Sequence, residues 1–367
     1  LGPQRRESTT STPPPPLEVF GGVSATYNEF FPITGTPESQ NRLSQQRNVS
    51  GQADLRLGFN SGHPWSGAIA GSFARLIQPS QEGVVGQGYN RMVPAGAAEI
   101  IWTPNNGMLD WRLGYNFTGT LFETTDFDVL DNFNHTFQMR GRWRFLPRSA
   151  LLYDARFSII HYLNDGNKTG SMPIRAQLGY NGLITPNFGA LLMVGWGSSF
   201  YDPSASETAA TVQDFDSLIA QAEIRYFLNP GRSNDPSGPS STSAFALGFT
   251  RDFYDAYIGS YFERDRGYLK LTYYLGGKFV VILDAGAGAL INPAINTPTL
   301  VKSGWTDIRI DAAAFAEYRF RDAFGINTTI RYGTRISDES LPVIDSNRQD
   351  KLQWSQFEAY VGARWLM

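Results

Sequence analysis

The chain contains no cysteine, which excludes a disulfide framework and any thiolate metal site. Histidine is almost as scarce, limited to His63, His135 and His161. No stretch approaches the roughly 18 apolar residues that a spanning helix needs. Charge of one sign is not in excess either: 31 Lys and Arg stand against 34 Asp and Glu, leaving −3 at pH 7. There is no basic surplus to displace counterions from phosphates, so nucleic acid is not an expected partner.

Aromatics and glycine are plentiful in the 367 residues, with 8 Trp, 17 Tyr, 25 Phe and 37 Gly. That is too many hydrophobic anchors for a disordered polymer. Residues 1–16 are the exception, nearly free of apolar side chains and ending in four consecutive prolines, which favours an extended, unpacked tail. The tail carries no initiating Met, apolar run or cleavage pattern, and the expectation is a mature or trimmed form with any signal peptide removed.

From Leu17 to Met367 the dominant signal is period-2 alternation in segments of about ten residues, broken by Gly, Pro, Asn, Asp and Ser. Between Asp307 and Arg321 one parity holds Ile308, Ile310, Ala312, Ala314, Ala316, Tyr318 and Phe320. The other holds Asp307, Arg309, Asp311, Glu317, Arg319 and Arg321. Phe137 to Phe145 behaves alike, with Phe137, Met139, Trp143 and Phe145 opposed to Gln138, Arg140, Arg142 and Arg144.

About sixteen such segments are present, with eighteen as the alternative count, and an even number is what an up-and-down barrel requires. Their connections alternate between tight ones, such as Thr103-Pro104-Asn105-Asn106-Gly107 and Gly276-Gly277-Lys278, and long polar ones at 30–47, 78–92, 201–213, 291–303 and 338–351. Outer-membrane barrels sort periplasmic turns from external loops in this way. Residues 229–242 break the rule, being long on the tight-turn side. Either they form a periplasmic insertion or the count is two strands short.

A soluble sandwich also alternates. Three features favour a membrane barrel over it. Aromatics such as Trp102, Trp111, Tyr115 and Phe117 share the apolar parity near segment ends, as interfacial girdles do. The polar parity is too charged to form a closed core. Nothing in the pattern covers sheet edges, which closure into a barrel removes. The expected fold is therefore all-β, one antiparallel barrel over 17–367 behind a Pro-rich periplasmic tail at 1–16.

The end of the chain, Tyr360-Val361-Gly362-Ala363-Arg364-Trp365-Leu366-Met367, resembles the C-terminal assembly signal of bacterial outer-membrane β-barrels, in which Tyr360, Gly362, Trp365 and Met367 fill the motif positions. Many bacterial members end in Phe where this chain has Met367. The resemblance implies an outer-membrane, porin-like barrel inserted among lipids by a barrel-assembly machinery. A weaker likeness, over Gly248-Phe249-Thr250-Arg251-Asp252, Gly259-Ser260-Tyr261 and Tyr268-Leu269-Lys270-Leu271, is to barrels associated with exopolysaccharide export. It implies polysaccharide passage with a periplasmic export partner.

On the polar parity an acidic-x-basic pair recurs: Asp54 with Arg56, Asp110 with Arg112, Asp154 with Arg156, Glu223 with Arg225, Asp307 with Arg309, and Glu317 with Arg319. Residues i and i+2 of a strand share a face. An Arg facing lipid at mid-depth costs about 2–4 kcal/mol, so these charges belong in the lumen. With Arg140, Arg142, Arg144, Arg175, Arg321, Arg331 and Arg335 they describe a somewhat cationic pore wall, suited to anionic or hydroxyl-rich solutes. The plainer reading is that these charges pair across strands and solvate the wall. Tyr268 and Tyr274, with Lys270 and Thr272 between them, either present rings to sugars or fill space.

Catalysis is not expected. Asp154 and Ser158 lie an odd number of steps from His161 and so on the opposite face. Gly195-Trp196-Gly197 and Gly286-Ala287-Gly288 lack the strand-to-helix context of a nucleotide loop. No metal or cofactor is implied. The expectation is a channel in the bacterial outer membrane that conducts polar solutes or exports polysaccharide. The alternatives are a general diffusion porin and a non-conducting barrel that anchors an envelope complex.

Overall fold

A computed structural model describes residues 16–28, 48–79, 88–104, 107–123, 125–164, 169–202, 214–228, 243–256, 260–276, 278–296, 301–321, 324–342 and 349–365. The first thirteen strands are β1 (Leu17–Asn28), β2 (Asn48–Phe59), β3 (Trp65–Pro79), β4 (Gly88–Trp102), β5 (Leu109–Phe122), β6 (Asn132–Leu146), β7 (Ser149–Tyr162), β8 (Ser171–Leu183), β9 (Phe188–Tyr201), β10 (Phe215–Phe227), β11 (Ala244–Asp255), β12 (Tyr261–Leu275) and β13 (Phe279–Asn292). Then come the short β14 (Ile295–Asn296) and β15 (Val301–Lys302), the long β16 (Trp305–Arg321) and β17 (Phe324–Ile336), the short β18 (Ser340–Pro342) and β19 (Gln349–Lys351), and β20 (Trp354–Trp365).

All the long strands join one antiparallel sheet of sixteen in chain order, β1 to β13, then β16, β17 and β20. The short strands pair as two hairpins, β14 with β15 and β18 with β19, inside the last two long connections. Among the described residues the sheet therefore has sixteen strands. Residues 229–242 are an insertion on the tight-turn side, since the Leu228 N–H bonds to the Ser243 carbonyl (2.8 Å) across its base. Their own structure lies outside the described residues, as do the tail up to Pro15 and the loop at 30–47.

The alternation sets the two faces. On β16 the outer row, Ile308 to Phe320, is joined across β17 by Ile336, Tyr332, Ile330 and Ile326, while Arg309 sits opposite Arg335 and Ala313 opposite Arg331. Around the sheet the outer residues are large and exposed, among them Leu55, Ile69, Ile100, Leu113, Phe137 and Leu192. Such a belt is stable only against lipid, because contiguous apolar surface of this extent is not found on monomeric soluble proteins. Among the described residues no helix is long and apolar enough to cross a membrane; the strands make the crossing.

Local chemistry places the breaks. Gly107 and Gly276 hold positive φ (82° and 57°) in tight turns, where a side chain would be strained. The β4–β5 ladder skips Val93 and Pro94, and the β7–β8 ladder skips Met172 and Pro173, because proline has no N–H to donate. The first lies at the middle of β4, the second at the long-loop end of β8. The sheet's two ends are β1 and β20, and among the described residues no ladder joins them. Val23 and Val361, on these two edges, are correspondingly 86% and 83% exposed.

Adjacent alanines on β4 test the facing directly. Ala98 shares the outer row with Ile100 and lies opposite Tyr115 of β5; Ala97 points inward opposite Asn116. In urea unfolding from lipid vesicles, Ala98→Arg is expected to cost about 2–4 kcal/mol and Ala97→Arg only a small fraction of that.

Candidate functional site: the charged inner face

Every acidic-x-basic pair lies on the inward parity, but the pairs do not all close the same way. Within one strand the Arg Nε donates to the acid two residues earlier at Asp110–Arg112 (2.8 Å), Asp154–Arg156 (2.8 Å) and Glu317–Arg319 (2.6 Å). Glu223–Arg225 closes through Nη2 at 2.5 Å. Asp307 turns away from Arg309 and receives Arg335 instead, through Nε at 3.0 Å. The Arg309 guanidinium lies over the Trp354 ring, 5.8 Å from its centroid. Asp54 and Arg56 stand opposite Gly22 and Phe20 of the edge strand β1.

The Arg140-Arg142-Arg144 run meets the like-charge problem with acids from neighbouring strands. Arg140 reaches Glu99 of β4 (3.0 Å) and Arg142 approaches Asp110 of β5 (3.6 Å). Arg331 faces Glu358 (3.8 Å) and the Tyr360 ring. Arg175 reaches Asp252 of β11 (2.9 Å). Arg321 ends β16, and its side chain lies outside the described residues.

In most of these pairs the carboxylate lies against the wall and the guanidinium stands out into the lumen. Side-chain exposure is 45% for Arg140 against 16% for Glu99, 51% for Arg225 against 7% for Glu223, and 55% for Arg331 against 12% for Glu358. In these pairs the cation is the more exposed partner, whereas at Arg175–Asp252, Arg264–Asp311 and Arg266–Asp284 the acid is.

Glycine lets long side chains lie flat across neighbouring strands. The Tyr268 hydroxyl donates to Glu223 two strands away (2.8 Å), crossing Gly248, where an added Cβ would fall 2.2 Å from the ring. Arg266 reaches Asp284 of the adjacent β13 (2.6 Å) and crosses that strand to Asp311 of β16; a Cβ at Gly286 would meet its guanidinium at 2.5 Å. Tyr268 is only 4% exposed, so its ring is a wall element braced by Arg266 and Lys270. Tyr274 is 37% exposed.

The charged wall residues that fall outside the acidic-x-basic pairs and the arginines singled out in sequence are Glu99, Asp252, Arg264, Arg266, Asp284, Asp311 and Glu358. Their partners sit on other strands, as with Arg264 and Asp311 (2.7 Å). The signal available in sequence was their inward parity alone.

At the loop end, Asp307 and Arg335 are nearly sealed from water, with side-chain exposures of 0% and 8%, and Trp305 Nε1 (3.0 Å) and Asn292 Nδ2 (3.3 Å) also donate to Asp307. Lys302 of β15 pairs with Glu339 next to β18 (2.6 Å), tying the last two long connections together. Near the same rim, the Arg75 guanidinium hydrogen-bonded to Glu123 holds that carboxyl below its ordinary range. Of the assembly signal, Tyr360 donates to Glu358 (2.9 Å) and Gly362 lies opposite Asn327. Trp365 pairs with Phe324 through its backbone, and Met367 lies outside the described residues. Among the described residues no cluster of three or more His, Asp or Glu could hold a metal ion.

No family model and no curated protein matches the chain. Its architecture is similar to that of solved metal transporters. The FrpB iron transporter from Neisseria meningitidis aligns in its F5-1 apoprotein form with TM-score 0.54 and 8% identity over 88% of this chain and 57% of that one. The F3-3 variant gives 0.51 and 9% over 88% and 58%, and the copper transporter OprC 0.50 and 9% over 87% and 56%. This chain spans less than two thirds of their length. At such identities the likeness concerns the fold, which is that of the bacterial outer-membrane β-barrel, in agreement with the apolar belt.

The two kinds of ion pair separate in a stability measurement. Breaking the sealed pair with Asp307→Asn is expected to cost about 3–5 kcal/mol, little changed by added salt. Asp154→Asn, at an exposed pair, is expected to cost no more than about 1 kcal/mol, and that small effect should fade as salt is added.

Proposed function

We propose that the chain is a non-enzymatic outer-membrane passage for polar solutes, with a lumen that favours anions and hydroxyl-rich molecules. The observation that carries this reading is the asymmetry of most inner ion pairs, in which the arginine is more exposed than its carboxylate, as at Arg140–Glu99, Arg225–Glu223 and Arg331–Glu358. A barrel of sixteen strands is wide enough for an aqueous channel. Field lines focused between low-dielectric walls raise the local concentration of counter-charged solute. Planar guanidinium donors add hydrogen bonds to carboxylate, phosphate or hydroxyl oxygens. Iron and copper transport belong to the similar structures; they support passage across the outer membrane in general. Polysaccharide is one hydroxyl-rich solute this wall accommodates, delivered by a periplasmic partner, and residues 1–16 and 229–242 are the segments offered to such a partner.

Single-channel recording of the refolded chain in a planar bilayer tests the proposal. The expected result is an anion-leaning current whose bias falls when Arg140, Arg142 and Arg144 are changed together to Gln, with the fold intact by heat-modified gel mobility. A folded barrel that passes no current would overturn conduction and leave the anchoring role. A current with no change in selectivity would remove the arginine row from the account.

A further inference from the structure

One part of the wall leaves the cylinder. The ladder between β10 and β11 ends at Ala220 opposite Arg251, yet β11 stays paired with β12 up to Asp255 opposite Tyr261. Residues Phe215 to Ile219 of β10 are laddered to β9 alone. Beyond Arg251 the strand lies over the inner face of β7 to β10. Arg175 of β8 donates to the Asp252 carboxylate (2.9 Å) and to the Phe253 carbonyl (2.5 Å), with its guanidinium 3.9 Å from the Phe253 ring centroid. Tyr162 of β7 donates to Asp255. In the sheet β8 and β7 are three and four steps from β11, about 14 and 19 Å along the wall at ~4.8 Å per step. Neither side chain spans that distance, so the end of β11 runs inside the barrel.

The packing supports this placement. The Phe253 ring stacks on Phe215 (4.1 Å) above Gly197, where an added Cβ would fall 2.6 Å from it. Phe253, Phe215 and Ile219, at 1%, 3% and 1% exposure, form a buried apolar cluster with Tyr261 against it, set in an otherwise polar lumen. The residues on the nominal lipid parity of this hairpin are also wrong for lipid. Arg251 bridges Glu263 (2.7 Å) and Asp265 (3.1 Å), and its Nε donates to the Leu218 carbonyl (3.2 Å), on the stretch of β10 beyond its ladder with β11. On the other face of the hairpin Tyr254 and Arg264 line a cavity of about 360 Å³ together with Arg331 of β17 and Trp354 of β20.

We infer that the loop-end half of the β11–β12 hairpin is a strap folded into the lumen, which holds the passage narrow at rest. Its latches are Arg175 with Asp252, Tyr162 with Asp255, and the Phe253–Phe215 stack. Widening the passage means swinging the strap back to restore the β10–β11 ladder. That movement turns Arg251, Glu263 and Asp265 toward the membrane, which biases the strap inward.

This inference rests on the conduction reading, and the test separates the two. The full chain carries no native cysteine, so Phe215→Cys with Phe253→Cys gives one defined pair. In the folded barrel this pair is expected to cross-link with a short bifunctional thiol-reactive reagent such as a bis-methanethiosulfonate, each thiolate displacing a sulfinate, read on a gel independently of any current. Arg175→Gln, and separately Tyr162→Phe as the milder change, are expected to raise single-channel conductance at least two-fold. Cross-linking in the Arg175→Gln background should return it to the wild-type level. Failure of the pair to cross-link in a folded barrel overturns the placement of the strap. Cross-linking with no conductance change in either latch variant overturns its role in narrowing. Absence of current in every form, latch variants included, overturns the conduction reading and the narrowing with it, while the gel still reports where the hairpin lies.

Discussion

Inside a bilayer every backbone N–H and C=O must be satisfied by the protein itself, since no water is available to do it. The rest of this structure depends on that constraint. It selects long antiparallel ladders, and the ladders impose a period of two that sends alternate residues to lipid and to the lumen. Groups that cannot join a ladder interrupt it locally, as at Pro94 and Pro173, or are answered by side chains, as the Leu218 carbonyl is by Arg251. An even strand number leaves β1 and β20 antiparallel, the arrangement in which one more ladder closes the ring.

The lumen is built from the same rule with different residues. Once charges are forced inward they crowd one another, and the sequence relieves this with acids two residues away or one to two strands away. Glycines at 248 and 286 act as troughs that let Tyr268 and Arg266 lie across intervening strands. The wall becomes a braced lattice of ion pairs with guanidinium ends projecting into water.

Most of the fold was legible from alternation alone. The sixteen segments, the tight turns and the facing of β6 and β16 follow from parity. The long connection at 229–242 argued for a miscount, but it interrupts no strand. Pairing across strands was not legible, because Glu99 to Arg140 or Arg266 to Asp311 depends on register, which composition does not encode. Loop length does not mark the inferred strap, which is built around a short loop-end connection between Asp255 and Tyr261. A signal was present in sequence: Arg251, Glu263 and Asp265 share the parity of Phe249, Leu269 and Leu271, and three charges in a lipid-facing row mark a hairpin that does not face lipid.

The central claim is that one face of each strand meets lipid and the other meets water. Because the chain has no cysteine, a single Cys walked along Ile310 to Phe315 of β16 gives one spin label per protein in lipid vesicles. The account predicts that accessibility to oxygen, which partitions into lipid, peaks at Ile310, Ala312 and Ala314. Accessibility to a water-soluble nickel chelate should peak at Asp311, Ala313 and Phe315. Accessibilities that do not alternate, or water access on both faces, would contradict it.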